Sequence, residues 1–374
     1  MIMANQEKIH QIALSLVKGV GTVLWKKLIA QLGSAQAVFE SSAKNLINIP
    51  GSSRRLAYEI LKKDTLRVAE ASFLAHQQKQ IQIISLWDKA YPERLKHITH
   101  APPLLYFQGD TDLNAAKIIS IVGTRTATAY GKKIVEKLIN ELCAYNVLIV
   151  SGLAYGIDIH AHKTALKHGL PTLAILAGSL DAIYPSIHKK LALEMLTQGG
   201  LLSEYPLQTS VETHQFPARN RIIAGIADAV IVVEANHKSG ALITADCANA
   251  YNREVFAVPG SIYESYSSGC NYLIKTQQAH LVTSAADIAY IMNWQTNTNM
   301  IQPSKHVLER MPQLTTEEQG AVQALKKLQK EVHIDELSYQ AKIPLNQLSS
   351  VLLQLELKNV VKFLPGRKFR LAAA

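Results

Sequence analysis

The chain contains the stretch Phe216-Pro-Ala-Arg-Asn-Arg-Ile-Ile-Ala224, then Val230-Ile-Val-Val-Glu-Ala235, then Ser239-Gly-Ala-Leu-Ile-Thr244. The four consecutive β-branched residues from Val230 onward are typical of a strand buried on both faces. We expect one helix to begin at the basic turn before this strand and another to begin at the Ser-Gly turn after it. Helix starts and guanidinium groups both bind phosphate oxygens. The stretch therefore predicts a polyanion site.

Short apolar segments alternate with helix-length segments on both sides of this stretch, from Lys117 onward. This alternation predicts an α/β fold with a doubly wound, mostly parallel sheet. The predicted strands are Ile118–Val122, Val147–Val150, Thr172–Leu176, Leu201–Ser203, Ala229–Val233, Val255–Val258 and His280–Thr283. The predicted helices are Tyr130–Ala144, Ile159–His168, Ile187–Gln198, Asn220–Ala227 and Ala241–Tyr251. Ligands of such sheets bind at the carboxyl ends of the strands.

The length of 374 residues favours more than one domain. We expect a helical SAM/helix–hairpin–helix-like domain over residues 1–80, an extended Rossmann-like domain over 81–294, a linker over 295–314 and a winged-helix-like domain over 315–374. The glycine turn Val17-Lys-Gly-Val-Gly21 suits a phosphate contact, but a helical bundle with glycine caps explains it too. The last domain has three predicted helices and a hairpin turning at Pro365-Gly366, and a protein-interaction module would have the same pattern.

Composition and charge exclude several classes of protein. No segment approaches the roughly 18 apolar residues of a membrane span, and no signal peptide is evident, so we expect a cytoplasmic protein. The three cysteines are far apart, which disfavours a disulfide or zinc framework. The net charge of +10 lies in the flanks, since residues 101–306 hold 15 basic and 15 acidic residues. Basic flanks indicate nucleic acid, although solvated lysines on helical faces would give the same count.

The turns that follow the predicted strands supply the candidate binding residues. They combine small or hydroxyl-bearing turn residues with cations that can reach one crevice. These residues are Gly123, Thr124, Arg125, Ser151, Gly152, Lys189, Lys190, Arg219, Asn220, Arg221, Ser239 and Gly240. Four aromatic residues lie nearby in the sequence, on which bases could stack: Tyr155, Tyr184, Phe216 and Tyr263.

Several kinds of cofactor chemistry lack their sequence patterns. No G-x-G-x-x-G follows the first predicted strand and no P-loop pattern occurs, which disfavours a dinucleotide and ATP hydrolysis. Of Asp158, His160 and His162, only the first and last share a helix face, which is too few ligands for a metal. We expect Asp158 to be an N-cap and His162 to be packed or hydrogen-bonded. We therefore expect no cofactor and no metal.

Catalytic groups are also poorly supported. Ser151 and Ser239 have no evident base partner and no G-x-S-x-G elbow. Glu204 and Glu234 end strands, and two roles are open to them: catalytic carboxylates, or buried partners that orient the nearby arginines. The second role is the one we predict.

These motifs together resemble the DNA-processing protein A family (DprA, also called Smf) of bacteria, over Pro92 to Asp287. The matching segments include Ile121-Val-Gly-Thr-Arg125, Ser151-Gly-Leu-Ala-Tyr-Gly-Ile-Asp158, Phe216-Pro-Ala-Arg-Asn-Arg-Ile-Ile-Ala224, Ser239-Gly-Ala-Leu-Ile-Thr-Ala245 and Arg253-Glu-Val-Phe-Ala-Val-Pro-Gly260. Two departures are small. Thr124 replaces the usual serine and keeps the hydroxyl, and Asn252 replaces a glycine but tolerates a left-handed conformation.

The resemblance implies a non-enzymatic protein of DNA processing. Members of the family bind single-stranded DNA, protect incoming DNA during natural transformation (competence), help load the RecA recombinase and act as homodimers. Arg125 matches the family's DNA-contacting arginine. The alternative is an enzyme, because the same core resembles nucleoside-monophosphate phosphoribohydrolases. Their P-G-G-x-G-T turn corresponds here to Ser239-Gly-Ala-Leu-Ile-Thr244, which is one glycine short.

Overall fold

The computed structural model describes residues 2–295, 315–328, 332–358, 360–364 and 368–371. The chain divides into two units, residues 1–298 and 299–374. Residues 296–314 of the predicted linker and the predicted turn at Pro365-Gly366 lie outside the described residues. The finer domain boundaries stay predictions. Within the part of the chain that is described, no helix is both long and apolar enough to cross a membrane.

The first unit contains one nine-stranded sheet that is mostly parallel, as predicted. Its strands are β1 Gln82–Ser85, β2 Leu104–Gly109, β3 Ile118–Val122, β4 Leu148–Ser151, β5 Thr172–Ile175, β6 Gly199–Ser203, β7 Ala229–Val232, β8 Glu254–Ala257 and β9 His280–Leu281. The spatial order is β1-β2-β6-β5-β4-β3-β7-β8-β9. Only the pairs β1–β2 and β2–β6 are antiparallel.

One group of helices precedes the sheet in the sequence, and a second group covers its two faces. Those before the sheet are α1 Ile2–Leu16, α2 Thr22–Leu32, α3 Ala35–Glu40, α4 Ala43–Ile47, α5 Arg54–Leu61 and α6 Asp64–Gln78. Those within the sheet domain are α7 Glu93–Lys96, α8 Ala129–Leu142, α9 Ile157–Lys167, α10 Lys189–Met195, α11 Gln215–Ile226, α12 Gly240–Ala250, α13 Ser268–Lys275 and α14 Ala285–Ile291.

The run of four β-branched residues from Val230 to Val233 is buried on both faces, as predicted. Val230 and Val232 belong to one hydrophobic core, whereas Ile231 and Val233 belong to a second core on the other face. Successive side chains of a strand point to opposite faces, so a strand between two helical layers needs apolar residues at every position.

The chain reverses its direction of growth at β3. It adds β4, β5 and β6 on one side of β3 and then returns to add β7, β8 and β9 on the other side. The loops that follow β3 and β7 therefore diverge toward opposite faces of the sheet. A crevice opens at such a switch point, at the carboxyl ends of the strands.

The N-terminal helices form a core that also takes in the first strands. It contains Trp25, Phe39 and Leu104 of β2. The predicted glycine turn separates α1 from α2, and Gly19 has φ +97° there, a conformation that favours glycine.

The second unit has the element order of a winged helix, as predicted. Its helices and strands are α15 Thr316–Leu328, β10 Val332–His333, α16 Ile334–Ala341, α17 Leu345–Leu357, β11 Val361–Leu364 and β12 Lys368–Leu371. The strands pair in the order β10-β12-β11, and a core that includes Leu337, Leu352 and Phe369 joins them to the helices.

Candidate functional site

A cleft of about 630 Å³ lies at the carboxyl ends of β3 and β7, where the chain reverses. Of the twelve predicted site residues, the cleft is lined by Gly123, Thr124, Arg125, Arg219, Asn220, Ser239 and Gly240. Gly152 lines a smaller pocket that shares Arg125, Phe216 and Arg219 with the cleft. The fold thus brings together residues that are more than a hundred positions apart.

The turn after β3 presents a cation to this cleft. The Thr124 N–H donates a 2.7 Å hydrogen bond to the Glu234 carbonyl, and a Cβ on Gly123 would lie 2.6 Å from the Ile157 side chain. The backbone is therefore held close to β7 and α9. Arg125 is exposed, and its guanidinium carbon lies 5.4 Å from the centre of the Phe216 ring. None of the ion pairs among the described residues involves Arg125.

The start of α12 forms the facing wall. The Ser239 hydroxyl accepts a hydrogen bond from the Ala241 N–H, so Ser239 is the N-cap. The Asn220 side-chain amide donates to the Gly240 carbonyl at 3.2 Å, which ties α11 to this turn. The positive end of the helix dipole favours an anion here.

Lys238 is a lining residue that the sequence analysis missed. It is exposed, lies directly before the N-cap Ser239 and faces the cleft. Its position after a buried strand and before a helix start was a usable signal, because cations in such turns lie at the carboxyl edge of the sheet.

Arg219 lies inside α11 and not at its beginning. The helix begins at Gln215, five residues before the predicted start, and Pro217 is accommodated because first-turn N–H groups need no helical acceptor. The Arg219 side chain is buried. Its Nη1 donates to the Gly152 carbonyl at 2.6 Å and to the Ile175 carbonyl. Burial lowers the pKa of Arg219 to about 10, while Asp158 opposes that shift.

Asp158 is not the helix cap that the sequence predicted. α9 begins at Ile157 after Gly156, and the buried Asp158 carboxylate accepts a 3.1 Å hydrogen bond from the Gly152 N–H. Burial raises the pKa of Asp158, and the nearby Arg219 charge and these hydrogen bonds oppose the rise. The carboxylate and the arginine together hold the turn after β4.

His162 is buried and hydrogen-bonded, as predicted. Its Nδ1 lies 2.7 Å from the Thr172 hydroxyl, which itself donates to the Ile149 carbonyl at 3.1 Å. Nδ1 is therefore the protonated nitrogen, and the buried Nε2 has no hydrogen-bond partner. Burial lowers the pKa of His162 to about 3.

The two glutamates have different roles. Glu204 forms a partly buried ion pair with Arg221, as predicted, and burial raises the pKa of Glu204 against the effect of that arginine. Arg221 is not among the residues that line the cleft. The predicted arginine partnership of Glu234 is wrong, because its carboxylate accepts from the backbone N–H and hydroxyl of Thr128 at the start of α8.

Three further predicted residues lie outside the cleft lining. The buried Ser151 hydroxyl donates to the Ile121 carbonyl at 2.6 Å, which joins β4 to β3. Lys189 and Lys190 are exposed at the start of α10. Their predicted contacts stay predictions.

Aromatic rings extend one side of the cleft. The Tyr184 and Phe216 ring centroids lie 5.6 Å apart at an interplanar angle of 66°, and Tyr155 packs edge-on to His188 at 5.1 Å. Free cations, a helix N-terminus and accessible rings suit a ligand that carries both phosphates and flat groups. Among the described residues, no three His, Cys, Asp or Glu side chains converge in a way that could hold a metal ion.

The fold and the cleft define an extended Rossmann-like protein with a crevice that basic side chains line. Comparison with known families gives the particular family. Residues 82–293 match the model of DNA recombination-mediator protein A, and residues 309–367 match the DprA winged helix domain. The chain belongs to the DprA/Smf family of DNA recombination mediators.

Curated relatives cover nearly all of the chain or its central part. Protein Smf of Synechocystis sp. is 34% identical over 98% of this chain and 100% of its own length. DNA processing protein DprA of Bacillus subtilis is 44% identical over 57% of this chain and 72% of its own length.

Two solved structures share the fold. DNA processing protein A of Streptococcus pneumoniae has a TM-score of 0.66 and 35% identity, over 76% of this chain and 97% of its own. DNA processing protein A of Helicobacter pylori, described for its single-stranded DNA binding mode, has a TM-score of 0.53 and 31% identity, over 58% of this chain and 98% of its own.

Proposed function

We propose that this chain binds single-stranded DNA in the cleft between β3 and β7 and acts as a recombination mediator. One observation carries the proposal: the Arg125 guanidinium is exposed at the cleft and lies 5.4 Å from the Phe216 ring centre, with no carboxylate partner among the described residues. An arginine held beside an aromatic ring can contact a phosphate and an unstacked base together.

The opposite wall supplies a second phosphate contact in this proposal. Lys238 and the start of α12 line the cleft together with Arg125. Two positive groups on opposing walls suit a backbone that passes between them. A single strand can pass between the walls with its bases free to stack, whereas a duplex would have to bring both of its paired strands into the same groove. We therefore expect single strands to bind more tightly than duplex DNA.

We propose that this activity is non-enzymatic and needs no cofactor. Asp158 is the one carboxylate among the described residues that line the cleft, and it already accepts from the Gly152 N–H beside buried Arg219. A phosphoribohydrolase needs a carboxylate that is free to act on the sugar. Release of free base from nucleoside monophosphates at a catalytic rate would contradict this part of the proposal.

The cellular role follows from family membership. We propose that the chain acts in the cytoplasm as a homodimer, protects single-stranded DNA that enters during natural transformation, and helps load RecA onto it. The family assignment supports these roles. Analytical ultracentrifugation, and RecA filament assembly on DNA coated with a single-strand-binding protein, test the dimer and the loading separately.

The decisive experiment removes Arg125. We expect Arg125→Ala to weaken binding of a fluorescent oligothymidylate by at least about tenfold, because a charge-assisted contact contributes about 1.5–3 kcal/mol. Lys167→Ala is the matched control, since this exposed lysine ends α9 at the opposite end of the helix from the cleft. Equal affinities for the Arg125→Ala variant and the unmodified chain would refute the site.

A further inference from the structure

The turn after β8 carries two apolar side chains that nothing in the described chain covers. Ile262 is 82% exposed and Tyr263 is 92% exposed. Single exposed apolar residues are ordinary, but these two are adjacent and lie on the edge of the sheet where the cleft opens. A tyrosine that is this exposed contributes little to stability, and its ring is accessible to a partner.

The backbone of this turn is held in place although its side chains are free. The Tyr263 N–H donates to the Ser261 hydroxyl, and the Glu264 N–H donates to the Ser261 carbonyl. Asn271 makes two hydrogen bonds to the backbone of Gly260 just before the turn. The ring is thus presented on an ordered backbone, which reduces the entropy cost of binding a partner.

Hydrogen bonds connect this turn to both walls of the cleft. The Tyr130 hydroxyl donates to the Pro259 carbonyl at 2.7 Å, and Tyr130 follows the Arg125 turn along the chain. The Ala235 N–H donates to the Tyr266 carbonyl at 2.7 Å, and Ala235 precedes the Lys238 turn. The turn after β8 therefore continues the surface that the cleft begins.

Binding groups then follow five neighbouring strands in order. Tyr184 follows β5, Tyr155 follows β4, Arg125 follows β3, Lys238 follows β7 and Tyr263 follows β8. Adjacent strands are about 4.8 Å apart, so this row of residues spans about 19 Å across the edge of the sheet. Rings lie at its two ends and cations lie at its centre.

We infer that single-stranded DNA crosses the whole carboxyl edge of the sheet, and that Tyr263 stacks on a base beyond the cleft. This inference rests on the function proposed above and adds a second contact zone with its own residue. The occupant is a single strand because the ring continues a row that starts with cations and other exposed rings. This contact is made to a base, so a strand of the same length without bases does not make it.

Strands with and without bases separate the stacking contact from the phosphate contacts. Binding of a fluorescent oligothymidylate of about 12 nucleotides, within the range of site sizes for single-strand binders, and of an abasic strand of the same length is measured on the full chain. We expect Tyr263→Ala to weaken binding of the oligothymidylate about tenfold and to leave binding of the abasic strand unchanged. Tyr263→Phe retains the stacking face and should bind both strands like the unmodified chain.

The matched control is Tyr290→Ala. Tyr290 is 85% exposed on α14. Trp294, four residues later, contacts Lys117. Lys117 directly precedes β3 and therefore lies at the edge of the sheet opposite the cleft. An unchanged affinity of Tyr263→Ala for the oligothymidylate, or an equal loss for the abasic strand, would overturn the inference. So would an altered oligomeric state with unchanged DNA binding, which would assign the turn to a contact between copies of the chain. Arg125→Ala is measured in the same experiment. If Arg125→Ala also binds DNA like the unmodified chain, the proposed cleft site fails. If only Tyr263→Ala does so, the cleft site stands and the inference about Tyr263 fails.

Discussion

Replacing Arg219 by methionine tests whether this arginine stabilises the fold, in contrast to Arg125, for which we propose a contact with DNA. Methionine keeps much of the apolar stem but removes the donors to the Gly152 and Ile175 carbonyls. It also removes the positive charge nearest the buried Asp158. Two hydrogen bonds from a charged donor are lost at about 1.5–3 kcal/mol each, so the expected cost is about 3–6 kcal/mol. We expect the free energy of unfolding in urea to fall by that amount.

Arg125→Met is the matched control, because it makes the same chemical change at an exposed arginine. We expect it to change the free energy of unfolding by less than about 0.5 kcal/mol while it weakens DNA binding. Adding Asp158→Asn to Arg219→Met should restore part of the lost stability, since asparagine still accepts from the Gly152 N–H without a buried charge. If Arg219→Met unfolds like the unmodified chain and loses only DNA affinity, the guanidinium contacts DNA and the reasoning fails.

Three further outcomes are expected. Lys238→Ala should weaken single-strand binding and reduce the salt slope by about 0.7, as measured by titration at several salt concentrations. Glu204→Ala should destabilise the fold by about 1–3 kcal/mol in urea, because Arg221 loses its partly buried partner, with little change in DNA affinity. The pKa of His162 is about 3 in the fold and 6.5 when exposed, so stability should fall below pH 6.5 by up to about 1.4 kcal/mol per pH unit, and less in His162→Gln.

The order of strands and helices could be read from the pattern of apolar residues. β3 has the predicted bounds, and the four β-branched residues at β7 are buried on both faces. Such patterns reflect the local periodicity of side chains, which a sequence displays directly. The start of α11 was misplaced, because Pro217 can stand either before a helix or in its first turn.

The roles of the charged residues could not be read in the same way. The sequence does not distinguish the roles of Arg125, Arg219 and Arg221. In the structure Arg125 is exposed, Arg219 donates to backbone carbonyls and Arg221 pairs with Glu204. The role of a charged side chain in a partly buried site depends on the hydrogen-bond acceptors and charges around it. Those acceptors come from strands that are distant in the sequence.

The amino-acid sequence alone therefore determined the class of fold, the edge of the sheet at which the cleft lies, and the family. These depend on side-chain periodicity and on short motifs, which are local properties. The tertiary structure decided the cleft itself, because the walls at Arg125 and Lys238 meet only where the chain reverses between β3 and β7. It also decided that Glu234 holds the start of α8, since hydrogen-bond partners more than a hundred residues apart are set by packing.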